Sequence, residues 1–429
     1  MKYNPLPKEL YISNRKNLEK SLKPNSIAVF NSNDIMPTNA DGVMAFRQNN
    51  DLFYLSGIDQ EESILVIYPD FHDQTKREIL FLKETNENIA IWEGHKFTKS
   101  EATELSGIQN IQWLSSFEST FNTLMAEAEH VYINTNEHIR AVVEVQTRDA
   151  RFINWCKEKY SMHRYERVAP IMHHLRAVKS DSEIEQMRIA CDITEKGFRR
   201  ILEFVKPGVM EYEIEAEYVH EFVRNKSKGF AYTPIIASGF NACVLHYIDN
   251  QEACKDGDVL LMDVGAEYGN YNADMTRSIP VSGRFTQRQK DVYNAVLRVK
   301  REAMKMLTPG NTIPEYHKEV GKVMESELIG LGLIDKTDVK NQDPDMPAYK
   351  KYFMHGTSHH IGLDVHDVGN IYQPMKPGMV FTVEPGIYIR DENLGIRLEN
   401  DVVIKENGLD DLMVNIPIEA EEIEDLMNK

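Results

Sequence analysis

The sequence predicts a mixed α/β (α+β) protein in two parts, the second of them internally duplicated. Three observations carry that expectation. Apolar runs of strand length alternate with helical stretches in the N-terminal part. In the C-terminal part, two long helical stretches each stop at a Pro-Gly pair. The strand-like segment Gly257–Asp263 returns as Gly378–Glu384, an offset of 121 residues (378 less 257).

In order along the chain, Ser26–Phe30, Ser63–Tyr68, Glu78–Leu82 and Val131–Ile133 read as strands, because apolar residues cluster between polar turn residues. Glu118–Glu129 reads as a helix among them. A boundary is expected between 168 and 180, giving domains over 1–172 and 173–429. There Ser180-Asp181-Ser182-Glu183 forms a capping box, predicting a helix to about Val205, where Lys206-Pro207-Gly208 stops it. Further helices are predicted over about Glu211–Asn225, about Thr286–Leu307 (stopped by Pro309-Gly310) and from about Pro314. Each copy of the repeated strand ends on a carboxylate, Asp263 or Glu384, with glycine two residues later at Gly265 or Gly386. His246 and His366 are similarly related. Two α-α-β units about a pseudo-twofold axis would bring these carboxylates to a common centre.

Composition narrows the function. A chain of 429 residues, 42% hydrophobic and 27% charged, suits two or three globular domains. No apolar run approaches the ~18 residues of a membrane span, and the N-terminus lacks the apolar core of a signal peptide. Four cysteines without C-x-x-C spacing suggest reduced thiols in a cytoplasmic protein. A net charge of −18, spread along the chain, argues against a nucleic-acid partner. The H-E-x-x-H, G-x-S-x-G, P-loop and G-x-G-x-x-G motifs are absent.

The chemistry lies in the carboxylates. A hairpin of Val259–Ala266 and Tyr271–Val281 is predicted to set Asp263 directly opposite Asp274. Facing like charges are destabilising, and a buried pair has one pKa driven up unless a cation neutralises it. Glu384 and Glu399 repeat the arrangement. One such pair fits a solvated strand edge; four carboxylates within apolar strands are costly without coordination. The run His355–Asp367 adds His355, His359, His360 and His366, in a loop rich in Gly, Ser and Thr. Four carboxylates and an imidazole make a hard, oxygen-rich site for two divalent ions, Mn²⁺ first, with Co²⁺, Fe²⁺ or Zn²⁺ as competitors. A water bridging two ions roughly 3.5 Å apart would become a hydroxide nucleophile near neutral pH.

These residues resemble the pita-bread metallopeptidases (family M24B), and among them the Xaa-Pro aminopeptidases. The resemblance covers nearly the whole chain. It is most specific at Met262–Gly265, Asn272–Arg277, His355–Gly362, Leu363–Gly369, Thr382–Gly386 and Ile396–Glu399. It implies metal ligands Asp263, Asp274, His359, Glu384 and Glu399, with Asp274 and Glu399 bridging. His246, His355 and His366 would grip substrate and stabilise the tetrahedral intermediate, and Glu384 would shuttle the proton. Arg397 would either orient substrate or form an ion pair with a neighbouring acid. The run Ala45–Gly57 resembles the family's non-catalytic, creatinase-like N-terminal domain, which implies a homo-oligomer (dimer or tetramer). Residues near Asp41 and Trp92 would approach a neighbouring subunit's active site, or Trp92 would be core. The expected activity is hydrolysis of the bond before proline in peptides with proline second. The alternatives are a prolidase and a non-catalytic peptide-binding relative; the run His355–His360 fits aminopeptidase P better than prolidase, where a second glycine precedes the ligand histidine. A metal-free creatinase-like hydrolase of small amidines would not need the four carboxylates.

Overall fold

A computed structural model describes residues 3–135 and 137–429; Met1 and Lys2, part of the N-terminal segment read above, lie outside them. The backbone divides into two compact units, Pro5–Arg176 and Ala177–Lys429, the latter joined by Tyr3 and Asn4.

The first unit is built on a six-stranded sheet. Its strands are β1 (Ser26–Asn31), β2 (Ile64–Ile67), β3 (Glu78–Leu82), β4 (Asn110–Trp113), β5 (His130–Ile133) and β6 (Arg164–Arg167), in the order β4-β3-β2-β1-β5-β6. The β1–β2 and β2–β3 pairs are antiparallel; the other three are parallel, as crossover helices require. Ile27, Val29, Val66, Ile79 and Phe81 meet Phe117, Phe121 and Phe152 from the helices on one face. In the run Ala45–Gly57, Asn49 caps the helix Asn50–Ser56 by accepting from the N–H groups of Asp51 and Leu52. Gly57 ends that helix at φ 71°, where a Cβ would lie 2.4 Å from the Tyr11 ring. Asp41 is exposed on a turn closed by the Pro37–Val43 bridge. Trp92 is 89% exposed, so the core reading of that residue is wrong: its seven-residue helix, Glu87–Glu93, buries no side chain.

The second unit shows the duplication. The Ser180–Glu183 capping box opens the helix Asp181–Phe204, which packs on Glu211–Arg224. The second pair, Gln287–Met306 and Ile313–Gly330, packs likewise. Each pair leads to strands. In the first half these are β7 (Ile235–Ser238), β8 (Val259–Val264), β9 (Glu267–Tyr268), β10 (Tyr271–Asn272) and β11 (Met275–Pro280). In the second they are β12 (Val380–Val383), β13 (Gly386–Ile389), β14 (Leu394–Arg397), β15 (Asn400–Ile404) and β16 (Leu409–Asp411). The sheet β11-β8-β7 has its counterpart in β12-β15-β16, and the hairpin β9–β10 in β13–β14.

The hairpin register differs from the sequence expectation. Thr276, not Asp274, lies opposite Asp263, and Tyr268 pairs with Tyr271, so the turn is centred on Gly269-Asn270. The slip is two residues. Strand side chains alternate with period two, so Asp274 stays on the face that carries Asp263. The ladder is also interrupted: a Cβ on Gly265 would fall 1.7 Å from the Ala273 carbonyl oxygen, so only glycine admits this close approach. In the second half, Val383–Asn400 and Gly386–Arg397 share one register, which sets Glu384 across from Glu399.

Candidate metal centre

Five candidate ligands come from three places in the second unit: Asp263 on β8 with Asp274 just before β11, His359 in the loop before β12, and Glu384 and Glu399 at the ends of β12 and β14. Donor atoms of Asp274, His359 and Glu399 all lie within 4.8 Å of one another. His359 Nε2 is 3.5 Å from Asp274 Oδ2 and 3.8 Å from Glu384 Oε1. Its Nδ1 lies 2.9 Å from the His360 carbonyl oxygen, which only accepts, so Nδ1 carries the hydrogen. That leaves Nε2 facing the carboxylates, as the nitrogen that would ligate a metal.

The backbone around these groups is pinned. Arg277 is fully buried and donates to the Glu399 carbonyl (2.6 Å), the Pro417 carbonyl (2.9 Å) and Asn400 Oδ1 (2.8 Å), tying β11 to the Glu399 turn. The Glu399 N–H donates back to Thr276 O. Asp401, also buried, accepts the Asp274 N–H through Oδ2 at 3.0 Å. Glu384 N–H donates to the Thr357 carbonyl, Thr382 N–H to the His359 carbonyl, and His359 N–H to Thr382 Oγ1 at 3.3 Å, which fastens the histidine loop to β12.

The electrostatics favour a cation. Burial raises the Asp274 and Glu399 carboxyls well above the usual carboxylate range; Asp263 adds to the first shift and Asp274 to the second. Tyr232 places its hydroxyl 2.5 Å from Asp263 Oδ1 and 2.6 Å from Asp274 Oδ1. One hydroxyl proton satisfies one of those oxygens; the other contact needs a second proton or a positive charge. Of the two roles open to Arg397, the geometry is that of the ion pair. The guanidinium donates to Asp263 Oδ2 (2.5 Å), the Tyr388 hydroxyl (2.9 Å) and Thr276 Oγ1 (3.0 Å), and the residue is 4% exposed. Thr276 passes its own proton to Glu399 Oε2 at 2.7 Å. One guanidinium therefore stands against four carboxylates. The donor set, four carboxylates and one imidazole lone pair, fits hard divalent ions.

The three further histidines differ. His355 Nε2 is 2.8 Å from the Tyr388 hydroxyl and Nδ1 is 2.8 Å from the Gly356 carbonyl. Arg397 already donates to the Tyr388 oxygen, so the Tyr388 proton goes to His355 Nε2 and the His355 hydrogen sits on Nδ1, 3.6 Å from Glu384 Oε2. Burial, then the Arg397 charge, push His355 down to about 3, so the ring is neutral. His366 is half-buried, its ring centroid 4.0 Å from that of His359. The next residue, Asp367, is held by Lys179 at 3.0 Å in an ion pair whose two side chains are each 1% exposed. His246 is exposed on the 239–252 segment. Tyr232, Thr276, Tyr388 and Asp401 were not singled out from the sequence. Each joins segments far apart in the chain, and only the apolar flanks of Thr276 and Asp401 hinted at burial.

The family comparisons agree with this geometry. Residues 185–406 match the model of metallopeptidase family M24, and residues 11–132 match the aminopeptidase P N-terminal domain. The Xaa-Pro aminopeptidase of Escherichia coli (strain K12) is 34% identical, with 96% of each chain covered. Human Xaa-Pro aminopeptidase 3 is 30% identical over 93% of this chain and 78% of its own. Among solved structures, E. coli aminopeptidase P superposes with a TM-score of 0.89 at 32% identity, covering 99% of both chains. Pseudomonas aeruginosa aminopeptidase PepP gives 0.89 at 31%, covering 99% of this chain and 98% of its own. A family M24 domain, an aminopeptidase P N-terminal domain and near-complete coverage of such relatives lead to one conclusion: this chain belongs to metallopeptidase family M24, in its aminopeptidase P branch.

Proposed function

We propose that the protein is a metal-dependent aminopeptidase, a hydrolase that releases the first residue of peptides with proline in second place. The observation that carries this is the grouping of Asp274, Glu399 and Glu384 about His359, with Asp263 joined to Asp274 through the Tyr232 hydroxyl and paired with Arg397. Asp263, Asp274, His359, Glu384 and Glu399 would hold two divalent ions, with Mn²⁺ favoured by the hard oxygen donors. When bound, such a pair acidifies water and polarises a peptide carbonyl.

The chain's own residues do the rest. Glu384, 19% exposed at its side chain, takes the proton from the attacking water and returns it to the leaving proline nitrogen. His366 donates to the oxygen that gains charge in the tetrahedral state, a contact that strengthens along the reaction. His246 grips the substrate from the other half of the duplicated unit. Neutral His355 lies against Phe353 and Tyr388 and offers an apolar face to a proline ring. Arg397 orients Asp263 rather than substrate. Proline lacks an N–H, so no backbone hydrogen bond at that nitrogen aligns the scissile bond. Further parts of the proposal are a cytoplasmic protein and a homo-oligomer, dimer or tetramer, assembled through the N-terminal unit. No helix among the described residues is long and apolar enough to cross a membrane.

The test incubates the Mn²⁺-loaded protein with Xaa-Pro, Xaa-Pro-Xaa and Xaa-Ala-Xaa peptides. Cleavage of Xaa-Pro-Xaa well above the alanine peptide supports an aminopeptidase of this specificity. Activity confined to the dipeptide would make it a prolidase, and equal cleavage of the alanine peptide would refute the proline specificity.

A further inference from the structure

His246 has no hydrogen bond or ion pair from its ring among the described residues, and it is exposed. Its position is therefore set by backbone, on the segment 239–252, the first part of the link from β7 to β8. That segment contains a short turn, Gly239–Cys243, and otherwise lacks regular structure. A segment of this kind samples many conformations unless tied down.

It is tied to one carboxylate. Glu211, the first residue of the helix Glu211–Arg224, is 0% exposed and forms no salt bridge among the described residues. Its Oε1 accepts from the Ser238 N–H (2.8 Å) and the Ser238 hydroxyl (2.7 Å). Its Oε2 accepts from the Tyr247 hydroxyl (2.7 Å) and the Glu252 N–H (2.9 Å). The Glu211 N–H also donates to the Glu252 carbonyl. Four donors fill the acceptor capacity of one carboxylate. They come from the residue before the segment, the residue next to His246 and the far end of the segment. The helix N-terminus supplies the favourable field for a negative group with no cationic partner. Tyr247 also packs with Leu245, Ala242 and Tyr388 in one apolar cluster, and Tyr388 is the residue bonded to His355 and Arg397. Tyr247, the chain neighbour of His246, thus packs against a residue of the candidate site.

We infer that Glu211 is a positioning residue: its carboxylate fixes the 239–252 segment at three points and thereby fixes His246, which has no side-chain anchor of its own. The inference rests on the reading of His246 as a substrate-gripping group. Glu211 touches no substrate; it acts through the segment.

The test uses the full-length Mn²⁺-loaded protein. Glu211→Gln keeps the shape but turns one acceptor into an NH₂ that faces two of the four donors. Amide exchange over 239–252 is expected to speed at least about tenfold, and kcat/KM on an Xaa-Pro-Xaa peptide to fall about tenfold to a hundredfold, with metal content unchanged. The double variant Glu211→Gln/His246→Ala should lose no more than His246→Ala alone, because both remove the same contact. Where Glu211→Gln does not fold, Tyr247→Phe removes one donor, keeps the ring, and should give a smaller effect of the same kind. Unchanged exchange over 239–252 overturns the clamp whatever the activity. Losses that multiply in the double variant overturn the action through His246. Full turnover by His246→Ala alone would show that the reading of His246 is at fault, and the positioning role falls with it.

Discussion

Tyr232→Phe isolates the outer support of the metal centre. The tyrosine hydroxyl lies within 2.6 Å of oxygens from both Asp263 and Asp274, two candidate ligands from different strands. Phenylalanine keeps the ring and removes only the oxygen and its proton, so no cavity of note is left. A hydrogen bond to a charged acceptor contributes about 1.5–3 kcal/mol. One is lost, and the freed carboxylate oxygen regains rotamer freedom that must be given up again when an ion binds. At 1.4 kcal/mol per factor of ten, Mn²⁺ affinity should fall about tenfold to a hundredfold, the range typical of groups that orient a ligand. Turnover at saturating Mn²⁺ should stay within a few-fold of the parent, because Tyr232 is not proposed to touch the peptide. The assay is activity against free Mn²⁺ in a metal buffer, with calorimetric titration of the chelated protein as a check. An unchanged Mn²⁺ midpoint would show that the hydroxyl does not organise the ligands. A collapse of turnover at saturating Mn²⁺ would place Tyr232 in the chemistry instead.

Chelation should abolish activity and Mn²⁺ restore it, while Asp274→Ala should lose metal and at least about 4 kcal/mol of transition-state stabilisation, on the order of a thousandfold; full activity of the chelated protein refutes the metal reading. His366→Ala should lower turnover roughly a hundredfold or more with metal content nearly intact, whereas a purely packed His366 would cost stability and leave turnover per folded molecule unchanged. Lys300 is 3% exposed, and burial pushes its amine down to about 7. Between about pH 7 and the unfolded value near 10.5 the unfolded chain holds the extra proton, so stability should rise with pH across that window. Lys300→Met should remove the slope and stabilise the protein at pH 7 by on the order of a few kcal/mol, read from urea midpoints at pH 7 and 9; identical midpoints at both pH values in the parent would refute it. Sedimentation of the intact protein should give a dimer or tetramer; a species only at the 49.5 kDa of one chain contradicts assembly.

The helices were legible because their signals are local. Ser180–Glu183 caps as read, and the helix ends at Phe204, one residue short of expectation. The ends of the Gln287–Met306 helix were each placed within one residue. Hairpin register was less legible. It depends on which two residues turn, and Tyr268, Gly269 and Asn270 offered two choices; positive φ at Gly269 and Asn270 decided for the latter pair. The convergence of Asp263 and Asp274 survived that slip because it was even.

Sequence by itself marked the duplicated architecture and the four carboxylates, since apolar flanks and repeat spacing are written along the chain; His359 was singled out by the family resemblance. Only the tertiary structure decided what surrounds them. Tyr232 reaches Asp274 across 42 residues of chain, Arg397 reaches Asp263 across 134, and Lys179 reaches Asp367 across 188. No local propensity encodes such pairs, because they arise when separate strands and helix ends are packed side by side. The same holds for the pairing of Arg397 with Asp263, for the exposure of Trp92, and for the hydrogen on His355 Nδ1, which follows from a donor chain running through Tyr388. Periodicity assigns a residue to a face; which partner waits on that face is settled by the packing of the whole unit.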